Sequence, residues 1–378
     1  MRDFIVVGAG IAGLMVAWRL QKSGVDVLIV DKSRSVPTGG SMSAGAFISP
    51  KIGKGSPLQR LTNEAFGFSW RFYRENFGDF FHQSGVLRLP KDERDCKKFQ
   101  TYQHYNYPNF QLWSQKEFRE AGLNLDCDIG FFFPEAGDYD AIKLCSSLAK
   151  SLEFEQMDIQ EINSQGDSWE LISSDSKIVS AKNIILATGY RNSLFDMKFM
   201  GIKPLWGSRG DYLIEKGGLN FSLHRDFSIS SVRDGYVKIG ATHIKAKNPC
   251  SLCDGNPLKK LEAKTRELLP DTKIRQKELF CAFRSGSRDF FPVVGEIVDV
   301  EAMLRREPKI TKGAKIEPIY HKNIYILNGL GGRGFLFAPY LAEILSKRVL
   351  DGVQIPQTIQ PDRLFWRWIR KEGKERLS

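Results

Sequence analysis

Long hydrophobic runs are missing from this 378-residue sequence. The longest apolar stretch, Phe4 to Trp18, is 15 residues, short of the roughly 20 that a membrane-spanning helix needs. It is also a poor secretory leader, because Asp3 follows the one Arg before it and glycines interrupt it. Cysteine is sparse: Cys96, Cys127, Cys145, Cys250, Cys253 and Cys281 form no repeated framework. Reduced thiols and a cytoplasmic protein are therefore expected. Cys250 and Cys253 make a CxxC, but a structural zinc needs two further ligands, and no second CxxC or nearby His pair supplies them. The five histidines (His82, His104, His224, His243, His321) are scattered, with no pair spaced like metal ligands or a triad. They read as structural, and no metal is expected. Neither G-x-S-x-G nor HExxH occurs, so hydrolase readings fall away.

Acidic residues are outnumbered, Asp+Glu 44 against Lys+Arg 55, leaving +11. That balance suits a polyanionic partner such as nucleic acid or a membrane surface. Hydrophobic residues, at 42%, are not scarce, which excludes a disordered or fibrous chain. The length allows two domains, or one with an insertion.

Phe4-Ile5-Val6-Val7 is the pattern of a buried parallel strand. It runs into Gly8-Ala9-Gly10-Ile11-Ala12-Gly13 and then into a stretch of helical period that Gly24 ends. Val25 to Val30 reads as a second strand with Asp31 at its end. Gly8 permits the tight turn, Gly10 lets the backbone approach a pyrophosphate, and Gly13 allows close helix-to-strand packing. The pyrophosphate would sit on the unpaired amides of the helix N-terminus. Asp31 would accept from a ribose hydroxyl. This is a dinucleotide site.

The sequence then departs from the pattern of a nicotinamide enzyme. Thr38 to Phe47 is a small-residue loop that could lie along a flat ring, and Asn183 to Gly189 is a strand ending in Ala187-Thr188-Gly189. These features resemble the flavoprotein family of glycine oxidase and D-amino acid oxidase. The resemblance implies FAD, with its isoalloxazine ring near residues 39–46 and with Lys32, Gly40, Ser41, Gly45, Ala46 and Ile159 among its neighbours. It also implies an α/β, two-domain fold: a Rossmann-like βαβ FAD domain interleaved with an antiparallel-sheet substrate domain. Residues 1–80, 134–205 and 284–378 fall to the first, and 81–133 and 206–283 to the second. Periodicity predicts helices over 58–77, 140–152, 257–269 and 336–350, and no long regular element in 91–128.

Gly329-Leu330-Gly331-Gly332-Arg333-Gly334, followed by Phe335, again follows a strand and opens a helix. Such an N-terminus suits the N1/O2 edge of a reduced flavin. Upstream, Arg284 to Gly295 contains Arg-x-x-x-Arg-Asp-x-x-Pro-Val-Val-Gly. Together with Ala338-Pro339-Tyr340-Leu341 and Pro361 to Phe365, it is similar to one subfamily. That subfamily is the FAD-dependent oxidoreductase half of the bifunctional tRNA 5-methylaminomethyl-2-thiouridine biosynthesis proteins.

The resemblance implies oxidative removal of the carboxymethyl group from 5-carboxymethylaminomethyl(-2-thio)uridine at the tRNA wobble position. Arg284 is the first choice to hold the substrate carboxylate, since a guanidinium grips it in a bidentate fork. Arg288 and Arg333 stand in reserve, and Arg288 could equally pair with Asp289. The family's methyltransferase half is expected to be absent, so a separate methyltransferase would finish the product.

Two basic stretches are expected to meet the tRNA anticodon region. Residues 363–378 interleave Phe365, Trp366 and Trp368 with basic residues, and exposed rings stack on unpaired bases. Residues 243–277 are also rich in Lys and Arg. Two rivals remain: an oxidase or dehydrogenase of glycine, sarcosine or a D-amino acid, and a non-catalytic flavin-bearing RNA-binding module. Oligomeric state is not legible.

Overall fold

The computed structural model describes residues 1–191, 193–244 and 256–372; the Cys250/Cys253 reading lies outside them. Val7, at the end of the first strand (Arg2–Val7), leads through the glycine turn into the first helix (Ile11–Lys22). The strand Val27–Asp31 then returns parallel to the first, pairing Phe4 with Val27 and Val7 with Val30. On its other side Arg2–Val7 pairs in parallel with Ile178–Leu186, so it lies in the middle of the sheet. This central position explains the unbroken β-branched run: Ile5 and Val6 are fully buried between two layers. The first half of Ile178–Leu186 pairs antiparallel with Ser168–Ser173, and its second half pairs in parallel with Tyr320–Asn328. Late residues thereby return to the nucleotide-binding sheet.

A second eight-stranded sheet, mostly antiparallel, runs in the order 273–286, 203–216, 236–240, 228–229, 222–224, 86–88, 130–133, 111–113. Its two long strands, Lys203–Lys216 and Lys273–Gly286, run continuously across the boundaries expected near 205 and 283. The four predicted helices appear as Pro57–Phe77, Ala141–Lys150, Asn256–Leu268 and Gly334–Asp351. Residues 91–128 are more regular than expected, with a helix at Glu93–Tyr102 capped by Asp92 and a shorter one at Gln115–Glu120.

The expectation of reduced thiols is corrected in the same region. Cys96 on the Glu93–Tyr102 helix is disulfide-bonded to Cys127, with Cα atoms 6.3 Å apart, a spacing that a disulfide spans. Their separation of 31 residues hid the pair in the sequence. Cys145 is free and buried.

Pro339 lies inside the Gly334–Asp351 helix and cannot donate to the carbonyl one turn back. The hydroxyl of Tyr73 donates to that Phe335 carbonyl at 3.0 Å, and Ser69 Oγ donates to Leu336 O at 2.7 Å. Both side chains come from the Pro57–Phe77 helix and are fully buried. Among the described residues no helix is long and apolar enough to cross a membrane.

Candidate active site

Residues from all three sheets of the fold line one cleft of about 1770 Å³. The structure brings into it nearly every residue singled out in the sequence. Gly8, Gly10, Ile11 and Ala12 come from the first turn, Asp31 and Lys32 from the second strand, and Gly40, Ser41, Gly45 and Ala46 from the small-residue segment. Ile159, Ala187, Thr188 and Gly189 join them, as do Gly329, Gly331, Gly332, Arg333, Gly334 and Phe335. Arg284 and Arg288 line the same cleft. Gly13 does not. A Cβ there would sit 1.9 Å from Gly8 O, so its place is the helix-to-strand contact.

The glycine turn is built to admit a diphosphate. Gly8 has φ +111°, and a Cβ on it would lie 2.5 Å from Ala187 O. The first helix starts after Gly10 with no side-chain cap at that residue, so the first-turn amides beyond Ile11 are open to an anion. The Ile11 N–H donates to Ser41 Oγ at 2.9 Å. Asp31 accepts from Ala9 N–H at 2.8 Å and from Ser33 N–H at 2.9 Å. A carboxylate has about four acceptor positions, so capacity for a ribose hydroxyl remains. These residues fit the adenosine diphosphate part of FAD.

The 39–46 segment is held from the substrate sheet, which sequence reasoning did not show. A Cβ on Gly40 would lie 3.0 Å from Phe283 O. Arg209 donates to Ala44 O while pairing with Asp211 at 3.1 Å. Its side chain is 5% exposed and lies over the Phe280 ring.

Arg284 stands opposite Leu205 near the end of its strand. Its guanidinium donates to His243 Nδ1 at 2.8 Å and to Thr242 O at 3.4 Å. Gly207 makes the room, since a Cβ there would be 2.3 Å from that guanidinium. A guanidinium only donates, so Nδ1 of His243 accepts and the ring is neutral. Desolvation, then the Arg284 charge, lowers the His243 pKa. Burial likewise lowers Arg284 and Arg333 from the usual guanidinium value.

Arg288 is exposed and does not pair with Asp289. Arg363 takes that carboxylate instead, at 2.9 and 3.1 Å.

Lys51, Arg88 and His224 were passed over in the sequence, where His224 read as structural. Arg88 and His224 are register partners on adjacent strands, and the guanidinium donates to His224 Nδ1 at 2.8 Å. The cleft as a whole is cationic. Lys32, Arg34, Lys51, Arg88, Lys91, Arg191, Lys203, Arg209, Arg225, Arg284, Arg288 and Arg333 line it, against Asp31 and Asp158.

Neither basic stretch supplies a described lining residue beyond His243. In the helix Asp362–Glu372, Leu364, Phe365, Trp368 and Ile369 are buried, so Phe365 and Trp368 are core rather than a stacking platform, while Trp366 is half-buried. Arg363, 13% exposed, is spent on Asp289. In the other stretch, Lys264 pairs with Asp226, Arg266 with Glu262 and Arg275 with Glu215. Among the described residues, then, neither stretch lines the cleft apart from His243, and residues 245–255 and 373–378 of these stretches lie outside the described residues. Among the described residues no cluster suited to a metal ion occurs.

The sequence profile of the DAO family, described as FAD dependent oxidoreductase, matches residues 3–348. A curated relative from Marinobacter nauticus, named tRNA 5-methylaminomethyl-2-thiouridine biosynthesis bifunctional protein MnmC, is 26% identical over 386 residues. The alignment covers 96% of this chain and 58% of that protein. A protein of the same name from Legionella pneumophila is 24% identical, with 96% and 57% covered. The chain thus spans just over half the length of these relatives. Among solved structures, glycine oxidase from Bacillus cereus superposes with TM-score 0.76 at 19% identity, covering 94% of this chain and 96% of that one. L-proline dehydrogenase from P. horikoshii gives TM-score 0.78 at 17% identity, covering 96% and 98%.

Proposed function

The chain belongs to the FAD-dependent oxidoreductase family, and from that premise we propose that its substrate is the wobble uridine of a tRNA. It removes the carboxymethyl group of 5-carboxymethylaminomethyl(-2-thio)uridine, leaving 5-aminomethyl(-2-thio)uridine. The cationic cleft carries this reading: with Asp31 and Asp158 the only acids among its described lining residues, it suits a cofactor diphosphate, a substrate carboxylate and a polynucleotide together. Relatives named for tRNA modification, aligned over 96% of the chain, support it.

Bound FAD would supply a two-electron acceptor for the carbon between the amine nitrogen and the carboxylate; hydrolysis of the oxidised substrate would then give the aminomethyl product and a two-carbon oxoacid. Gly8, Gly10, Asp31 and Ser41 would hold the nucleotide end, and the 39–46 and 329–335 segments the ring end. Arg284, kept in place by His243 and Thr242 O, grips the substrate carboxylate. Arg333 lines the same cleft. His243 is neutral and already accepts from Arg284 through Nδ1, so deprotonation of the secondary amine falls to solvent.

Anaerobic mixing of the yellow protein with tRNA bearing the carboxymethylaminomethyl group tests the reading. Bleaching of the flavin is expected. Flavin that stays yellow with that tRNA but bleaches with free glycine or sarcosine assigns a small amino acid instead. Product methylation would need a methyltransferase.

A further inference from the structure

Besides Arg284, the cleft contains a second group of anion-binding side chains. His224 is 9% exposed, lines the cleft, and accepts at Nδ1 from Arg88. The proton of its neutral ring is therefore on Nε2, and that buried atom has no hydrogen-bond partner. Lys51 and Arg333 line the cleft with it, and neither side chain has an ion-pair partner among the described residues. The charges of Arg333, Arg88 and Lys91 all bear on Lys51, after burial, to draw its pKa down to about 8. The carboxylate that bears on Arg88 is Asp95, which accepts from the Lys91 backbone N–H. Crowding three cations without a facing carboxylate is unfavourable unless an anion fills the space between them.

We propose that Lys51, Arg88 and Arg333, with His224 holding Arg88 in place through Nδ1, form a second anion subsite that takes a phosphate of a nucleotide substrate. The 331–333 turn separates it from the carboxylate site: Gly332 faces the Arg284 side chain, while the Arg333 charge reaches Arg88, Lys51 and His224. A free amino acid brings one anionic group, which Arg284 satisfies. A nucleotide carrying a carboxymethylamine brings two. The inference therefore rests on the proposed tRNA substrate and extends it to a specific contact.

Binding of uridine and of uridine monophosphate to the FAD-loaded protein, measured by calorimetry, tests it without turnover. The monophosphate is expected to bind about tenfold more tightly, the worth of a charge-assisted hydrogen bond. Lys51→Gln and His224→Gln should collapse that preference while FAD content is retained, and Lys259→Gln, on an exposed helix face, serves as the control. Glycolate, which carries only a carboxylate, should be weakened by Arg284→Ala. Equal binding of uridine and its monophosphate overturns the proposal. So does a preference that survives both variants, or a loss of glycolate binding in Lys51→Gln as large as in Arg284→Ala. Failure of the tRNA reading shows separately, as flavin that stays yellow with modified tRNA.

Discussion

Arg284 donates to Nδ1 of His243 at 2.8 Å, and the contact settles both partners. The guanidinium gains a fixed direction and the imidazole a fixed tautomer. Arg284→Ala should lower kcat/KM for the modified tRNA about 100-fold or more, as expected when one partner of a charged contact is truncated. FAD content should stay unchanged. Arg284→Lys should recover little, because an ammonium lacks the fork.

His224 gives a pH dependence on the acid side. Burial, then the Arg88 and Arg333 charges, hold its pKa well below the usual 6.5. Between those values the unfolded chain binds a proton that the folded chain refuses. Its stability contribution is therefore complete above 6.5 and is lost as pH falls, at up to about 1.4 kcal/mol per pH unit. Urea unfolding from pH 7.5 to 5 should show the slope, and His224→Gln should flatten it.

Lys51 acts on the other side. It faces Arg333, Arg88 and Lys91, and its pKa lies at about 8. The proposed preference for a nucleotide over its nucleoside should shrink as pH rises past that value. Lys51→Arg should extend the preference to higher pH, since a guanidinium keeps its charge.

Phe290 is 75% exposed at the cleft lining with φ +67°, a conformation that costs a bulky residue energy. Ser287 and Asp289 hold the turn, and Arg363 anchors Asp289. A ring kept on display there suits stacking on an unpaired base. Phe290→Ala should weaken tRNA binding by about 1–3 kcal/mol in a filter assay at fixed salt, with FAD binding unaltered.

Tyr73→Phe removes the hydroxyl that donates to the Phe335 carbonyl freed by Pro339. Leaving that buried acceptor bare should cost about 1–3 kcal/mol of stability, seen as a lower denaturant midpoint.

What could be read in the sequence was local and backbone-driven. Gly8 and Gly13 are required by close approaches to Ala187 O and to Gly8 O, and such requirements leave glycines at fixed spacing. Arg284 stood out through its motif. Lys51, Arg88 and His224 could not stand out, because the fold assembles them from a loop and two strands far apart in the chain and no short pattern links them. The Asp362–Glu372 helix was misread for a different reason. Its aromatic and basic residues looked interleaved, yet Leu364, Phe365, Trp368 and Ile369 form one helical stripe that the core takes. The Cys96–Cys127 bond was beyond reach because nothing in the sequence sets a helix beside a loop 31 residues later.

The Arg209 contact with Ala44 gives the two halves of the protein a common fate. The segment proposed to lie along the flavin takes its shape from a strand of the substrate sheet, so cofactor retention is a property of the whole chain rather than of its nucleotide-binding half. A yellow preparation would therefore report that both halves had folded, and loss of colour could begin far from the nucleotide.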